Sequence, residues 1–155
     1  MAKQLWLLRH GEAEPHDARP DAERRLTDRG REQARDVGRA LAALKIHFHA
    51  AYTSPRVRAR DTATLACEPL GVEPIDHEPL SGGFTADDAL TLLAVSGAEQ
   101  RVLVVGHDPD FSQVVYDLTG GRIEFKKGAI AAIRLDGARG ELMLLMRPRE
   151  LARIS

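Results

Sequence analysis

The sequence predicts an α/β protein, a three-layer α/β/α sandwich whose mainly parallel central sheet ends in a C-terminal β-hairpin. Three observations carry that prediction. Short aliphatic runs bounded by polar residues occur at 4–8 and 102–105, which is how strands buried on both faces read. Strand-like and helix-like stretches alternate along most of the chain, and that order implies parallel strands joined by helical crossovers. The last third changes style, because residues 129–135 and 141–146 flank the turn Asp136-Gly137-Ala138-Arg139-Gly140, the pattern of a hairpin.

Taken in order, a strand over 4–8 leads into a polar loop through His16, Asp17, Pro20 and Asp21. Thr27 then caps a helix. Asp28 adds negative charge to its first turn, and Gly30, Ala34, Val37, Leu41 and Leu44 recur on the face expected to pack on the sheet. A strand over 50–53 ends at Ser54-Pro55, which reads as the N-cap and first-turn proline of a second helix ending before Gly71. Residues 72–84, with two prolines and Gly82-Gly83, read as a loop. Thr85 and Asp88 open a third helix through a variant of the capping box. After a strand over 101–105, Pro109 opens a fourth helix bearing Phe111, Val114, Val115 and Leu118, which Gly120-Gly121 terminates.

Length and charge narrow the functional classes. At 155 residues the chain is sized for one domain. Its 22 Lys and Arg balance 23 Asp and Glu, so no global basic field exists to hold nucleic acid, and any anion site must be local. The apolar run near the N-terminus is interrupted by Arg9 and is too short for a signal-peptide core or a membrane span, so a cytoplasmic protein without membrane contact is expected. Cys67 is the single cysteine and falls in a helical pattern, where a buried structural residue is expected rather than a catalytic thiol. His47 and His49 have metal-ligand spacing, but no cysteine or acidic cluster accompanies them. A surface position is expected there, and no metal.

Two segments carry the chemistry. Leu7-Leu8-Arg9-His10-Gly11-Glu12 and Val104-Val105-Gly106-His107-Asp108 each deliver a histidine to the carboxyl end of a predicted strand, the edge where open parallel sheets bind ligands. With Arg9 beside the first histidine, the pair points to phosphate. The second helix holds three further arginines at Arg56, Arg58 and Arg60. At about 100° per residue, Arg58 shares the inward face with Thr62, Leu65 and Ala66, while Arg56 and Arg60 lie together near the opposite side. A buried arginine is costly unless paired, so Arg58 requires an acidic partner or an anionic ligand. Arg56 and Arg60 read as solvated charges.

Four segments in order, Leu8-Arg9-His10-Gly11-Glu12, Leu26-Thr27-x-x-Gly30, Ser54-Pro55-x-x-Arg58-Ala59-x-x-Thr62-Ala63 and Val105-Gly106-His107, resemble the histidine phosphatase superfamily. The chain is similar to its short SixA-type phosphohistidine phosphatase branch, over about residues 5–132 of a single domain spanning 1–155. The resemblance implies that His10 is the nucleophile and becomes a covalent phosphohistidine, with the Gly11 carbonyl fixing its tautomer. It implies that Arg9, Arg58 and an arginine before Leu26-Thr27 bind the phosphoryl oxygens. Register favours Arg24, although Arg25 is also within reach. His107 would donate to the phosphoryl group. At about 4 Å and an effective dielectric of about 20, each unit charge pair contributes about 4 kcal/mol before desolvation. A phosphate dianion therefore offsets the nearby arginines, and His107 is expected neutral in the empty site and protonated with ligand bound.

Relatives acting on alkyl phosphates use a carboxylic acid to protonate the leaving oxygen. Here Glu78 and Asp87 are the candidates, although Pro79 stands where SixA-like relatives tend to carry glutamate. Lack of a dedicated acid fits a phosphoramidate. The implied substrate is a phosphorylated protein of phosphorelay or phosphotransfer type, acted on by a monomer without metal or other cofactor. The alternatives are a phosphatase of sugar or nucleotide phosphates and a non-catalytic phosphate- or phosphopeptide-binding module. Glu12 and Asp108 either orient the histidine rings or cap their loops, His16 and His77 lie near the rim, and Lys126 and Lys127 read as solvated.

Overall fold

The computed structural model describes residues 3–95 and 100–155. Its centre is one six-stranded sheet in the order β3-β2-β4-β1-β5-β6. The strands are β1 (Lys3–Arg9), β2 (Ala50–Thr53), β3 (Pro74–Asp76), β4 (Arg101–Gly106), β5 (Ile130–Asp136) and β6 (Arg139–Met146). Pairings among β3, β2, β4 and β1 are parallel, whereas β5 and β6 add antiparallel, so the sheet is mixed with a parallel half and a C-terminal hairpin.

Both faces of the sheet are apolar, for a reason visible in β1. Alternate side chains point to opposite faces, and Leu5 and Leu7 enter one buried cluster while Trp6 and Leu8 enter the other. The first cluster is covered by α3 (Ala86–Ala94) and α4 (Asp110–Thr119). The second is covered by α1 (Asp28–Ala43), α2 (Val57–Cys67) and α5 (Pro148–Ile154). Three layers result. Among the described residues no helix is long and apolar enough to cross a membrane.

Several expectations need correction. Residues 72–84 are not all loop, since they contain β3 and a 3-10 turn at Glu78–Ser81. A strand of three residues beginning with proline is stable only as a sheet edge, where the missing N–H is tolerated. Helix α5 follows the hairpin and was not foreseen. The second helix starts at Val57 with Arg56 at the N-cap, not at Ser54-Pro55, although the Ser54 hydroxyl still accepts from the Arg56 N–H just ahead of the first turn. Leu44 closes α1 at its C-cap and is 47% exposed, past the end of the packed face. The Thr27 cap, the Thr85/Asp88 capping box and the left-handed Gly120 at the end of α4 match the sequence reading.

One contact fixes where α1 meets the sheet edge. A Cβ on Gly11 would lie 2.6 Å from the Gly30 carbonyl oxygen, and one on Gly30 would overlap the carbonyl of Glu12. Backbone rests on backbone here, and only glycine fits. Gly30→Ala is expected to lower unfolding stability by about 1–3 kcal/mol, the range for overpacking a close contact, and to cut turnover by displacing the His10 loop. Denaturant melts beside activity assays would check both, and unchanged values would remove Gly30 from this role.

Candidate active site

Register brings the two histidines together. Leu8 pairs with Val105 and Arg9 with Gly106, so β1 and β4 end side by side at their carboxyl ends. His10 and His107 leave those strands with ring centroids 5.2 Å apart. Backbone bonds hold the exit from β1: the His10 N–H donates to Gly106 O at 3.0 Å, and the Gly128 N–H donates to His10 O at 2.9 Å. The Gly11 N–H donates to Thr62 Oγ1 at 3.1 Å, and that hydroxyl donates to Arg58 O, which ties α2 to the same loop.

One ring has a defined proton. His10 Nδ1 lies 2.7 Å from Gly11 O, and since a carbonyl only accepts, Nδ1 carries the hydrogen and Nε2 keeps its lone pair. The His107 ring places Nε2 at 2.8 Å from Ser54 Oγ. That oxygen also accepts from the Arg56 N–H at 3.2 Å, and with two lone pairs and one hydrogen it suits either tautomer of His107. Burial, with His107, Arg58 and Arg9 adding repulsion against the Gly11 bond, pushes His10 down to about 3. Burial, then Arg58 and Arg56, pushes His107 down to about 4. Both rings are therefore neutral near pH 7.

The arginines gather on Asp21. Arg58 donates through Nη1 to Asp21 O at 2.7 Å and through Nη2 to Asp21 Oδ2 at 3.2 Å. Arg24 donates from Nε and Nη2 to Oδ1 at 3.1 and 3.0 Å, and Arg56 also binds the same carboxylate. Burial pulls the Asp21 carboxyl upward, but the bonds and charges of Arg24 and Arg58 outweigh it and hold the group below its ordinary value. Arg9 is apart from Asp21 in its bonding: it donates Nη1 to Phe125 O at 2.6 Å, and its charge bears on both histidines. Three buried side-chain atoms lack a hydrogen-bond partner among the described residues: Arg9 Nε, Arg58 Nε and His107 Nδ1. Unmet buried polar atoms are expensive, and all three belong to side chains that flank His10. The arrangement offers a neutral imidazole nucleophile beside donors for an anion.

Of the residues expected from sequence, Arg9, His10, Gly11, Arg58 and His107 stand together. Arg24 is buried in this cluster, while Arg25 is exposed and its backbone N–H and carbonyl both bond to Glu14. Glu78 is exposed on its 3-10 turn and accepts from Ser81 Oγ, and Asp87 is exposed in the first turn of α3. Neither makes a hydrogen bond or ion pair with the histidines among the described residues. Glu12 accepts from Thr27 Oγ1 and Asp108 from the Ser112 N–H and hydroxyl, so both serve the loops rather than the rings. His49 Nδ1 accepts from the Arg101 N–H, Cys67 is buried with its thiol pushed up to about 12, and no metal-binding group occurs among the described residues.

Sequence reasoning missed Ser54 as a partner of His107, Asp21 as the hub of the arginines, and Arg56. Arg56 is not a solvated charge: its Nε donates to Ser81 O at 2.6 Å and its guanidinium binds Asp21. The helical phase that set Arg56 outward assumed a helix starting two residues earlier than it does. Arg60, with an exposed pair to Asp76 at 3.4 Å, matches the solvated reading.

A phosphate dianion at this site opposes both the burial and the arginine repulsion that hold His107 down. The His107 pKa is expected to rise on phosphate binding, followed as its imidazole proton shifts in an NMR titration with and without phosphate. An unmoved pKa would show that His107 does not donate to the ligand as a cation.

Comparison with known proteins agrees with this geometry. Residues 5–81 match the family model of the histidine phosphatase superfamily, branch 1. An uncharacterized protein of Picosynechococcus is 32% identical, covering 96% of this chain and 98% of its own. The phosphohistidine phosphatase SixA of Escherichia coli is 27% identical over 86% of each chain. A solved structure of the protein histidine phosphatase SixA complexed with tungstate superposes with a TM-score of 0.84 at 27% identity, covering 96% of this chain and 99% of that one.

Proposed function

The chain belongs to the histidine phosphatase superfamily, and on that premise we propose that it is a phosphohistidine phosphatase acting on a partner protein, as a cytoplasmic monomer. The observation that carries the reading is the charge inventory around the two histidines. The carboxylate whose charge bears on His107, Asp21, is held as an anion by three arginines and cannot serve as an acid near neutral pH. An alkoxide leaving group needs a proton donor, whereas an imidazole leaving from phosphorus takes its proton readily from solvent.

In this reading His10 Nε2 attacks phosphorus as the P–N bond to the substrate imidazole breaks. Phosphorylated His10 and free substrate histidine result. Water then attacks phosphorus, the bond to His10 breaks, and phosphate leaves with the water's proton passed to solvent. Arg9, Arg24 and Arg58 neutralise the equatorial oxygens, and His107 donates from Nδ1. Gly11 supplies the carbonyl that keeps Nδ1 of His10 protonated. The roles of Arg25 and Glu78 in binding are limited to the rim.

The test is phosphate release from a histidine-phosphorylated protein, run beside p-nitrophenyl phosphate and a panel of sugar phosphates. Preference for phosphohistidine supports the proposal. Preference for a sugar phosphate would move the chain to the small-molecule phosphatases, and absence of any turnover with retained phosphate affinity would make it a binding module.

A further inference from the structure

A cavity of about 870 Å³ reaches Arg9 and neither histidine. It runs between the start of α1, the 123–127 segment and the start of α5. Of its charged lining residues six are cations and three carboxylates, in a chain whose formal net charge is −1. The excess of positive charge is therefore a local feature of this groove. Its ion pairs are thin. Arg29 comes only to 3.9 Å from Glu12, and Lys127 has no ion pair among the described residues. Lys126 meets Glu124 at 2.6 Å, and Arg147 and Arg149 share Glu150.

The groove is joined to the catalytic edge by covalent and hydrogen-bonded structure. Phe125 O receives Arg9 Nη1, and the Gly128 N–H is bonded to His10 O, so Lys126 and Lys127 sit on the segment that holds the His10 backbone. We propose that this groove is the docking surface for an acidic segment of the partner protein, next to the phosphohistidine it presents to His10. This deepens the phosphohistidine phosphatase reading and rests on it.

Exposure favours a protein segment over a small polyanion. The side chains of Arg29 and Arg149 are 75% and 74% exposed, and those of Lys126 and Arg147 about half. Small-molecule sites are enclosed and mostly apolar, with a few fixed polar groups. Long, solvated cations along an open groove instead raise encounter rates and select partners by charge, without fixing a single small ligand.

The test uses two labelled peptides, each with one histidine, flanked in one by Asp and Glu and in the other by Ser and Gly. Binding of the unphosphorylated forms is read by fluorescence anisotropy at low and high salt, and turnover of the phosphohistidine forms is read as kcat/KM. The proteins are the wild type, the pair Lys127→Glu with Arg149→Glu, and the milder pair Lys126→Ala with Lys127→Ala. Expected is about a tenfold preference for the acidic peptide at low salt, weakened at high salt and lost in the charge-reversed pair, with p-nitrophenyl phosphate turnover unchanged. Equal binding of the two peptides to the wild type, or a preference that survives charge reversal, would overturn the proposal. Acidic preference in binding with no phosphohistidine turnover would support the docking surface while refuting the phosphohistidine reading, so the two failures are distinct.

Discussion

Replacing His10 with alanine is expected to abolish turnover, lowering kcat by at least about 10⁴, the scale of loss when an enzyme is deprived of its nucleophile. The arginines and His107 remain, so inorganic phosphate should still bind within about an order of magnitude of wild type. Rapid quenching of the wild type with labelled substrate should trap an acid-labile phosphoryl group on His10, absent in His10→Ala. A variant that keeps its turnover would exclude covalent catalysis through this residue. The same variant has a second signature. His10 and His107 are held in the folded state at about 3 and 4, below their ordinary value of 6.5. Unfolding therefore takes up protons as pH falls through 6.5, and the folded state loses stability from there down to about 4 and then 3. With one of the two rings gone, His10→Ala should lose less stability on acidification than wild type, measurable as denaturant midpoints against pH.

Arg58→Ala is expected to lower kcat/KM by about 10² to 10³, as for loss of one donor that stabilises developing charge. Arg58→Lys should recover little of it, because a point-charge ammonium cannot hold both the Asp21 backbone carbonyl and its carboxylate while leaving a donor for the phosphoryl group. Asp21→Asn separates positioning from contact. Asp21 touches only the arginines, so its loss should cost less than loss of Arg58, with most of the effect in kcat. His107 distinguishes the two variants by direction. Arg58 holds the His107 pKa down and Asp21 holds it up, so the value should rise in Arg58→Ala and fall in Asp21→Asn. Shifts of the same sign would show that the cluster rearranges when either partner is removed.

The part of this site that was legible in the sequence is the part encoded locally. An aliphatic run ending in histidine names a strand and what lies at its tip, and the rotation of Arg58 onto the Thr62 and Ala66 face follows from helical phase alone. Ser54, Asp21 and Arg56 were not legible as site residues, because their roles are contacts across 53, 37 and 35 positions. Asp21 reads as one more loop acid until α2 is set against it. Ser54 followed by Pro55 carries a strong helix-start signal, and its hydroxyl does accept from the Arg56 N–H, but the same group also meets His107 and the helix itself begins at Val57. The missed β3 and α5 share a cause: three and seven residues are too few for periodicity to register, and their stability comes from the elements they pack on.

The β1/β4 pairing that sets the two histidines side by side also couples catalysis to the order of assembly. Strand β4 is the inserted one: it enters between β2 and β1 after three helical crossovers, through α1, α2 and α3, have already been synthesised, and its partners in β1 lie 97 residues earlier. Closing a loop of that length is the slow kind of contact to form. No local fragment holds both rings. During refolding, helix signal and even partial sheet should return before any turnover does, and the regain of hydrolysis would time the moment when the middle of the sheet zips shut.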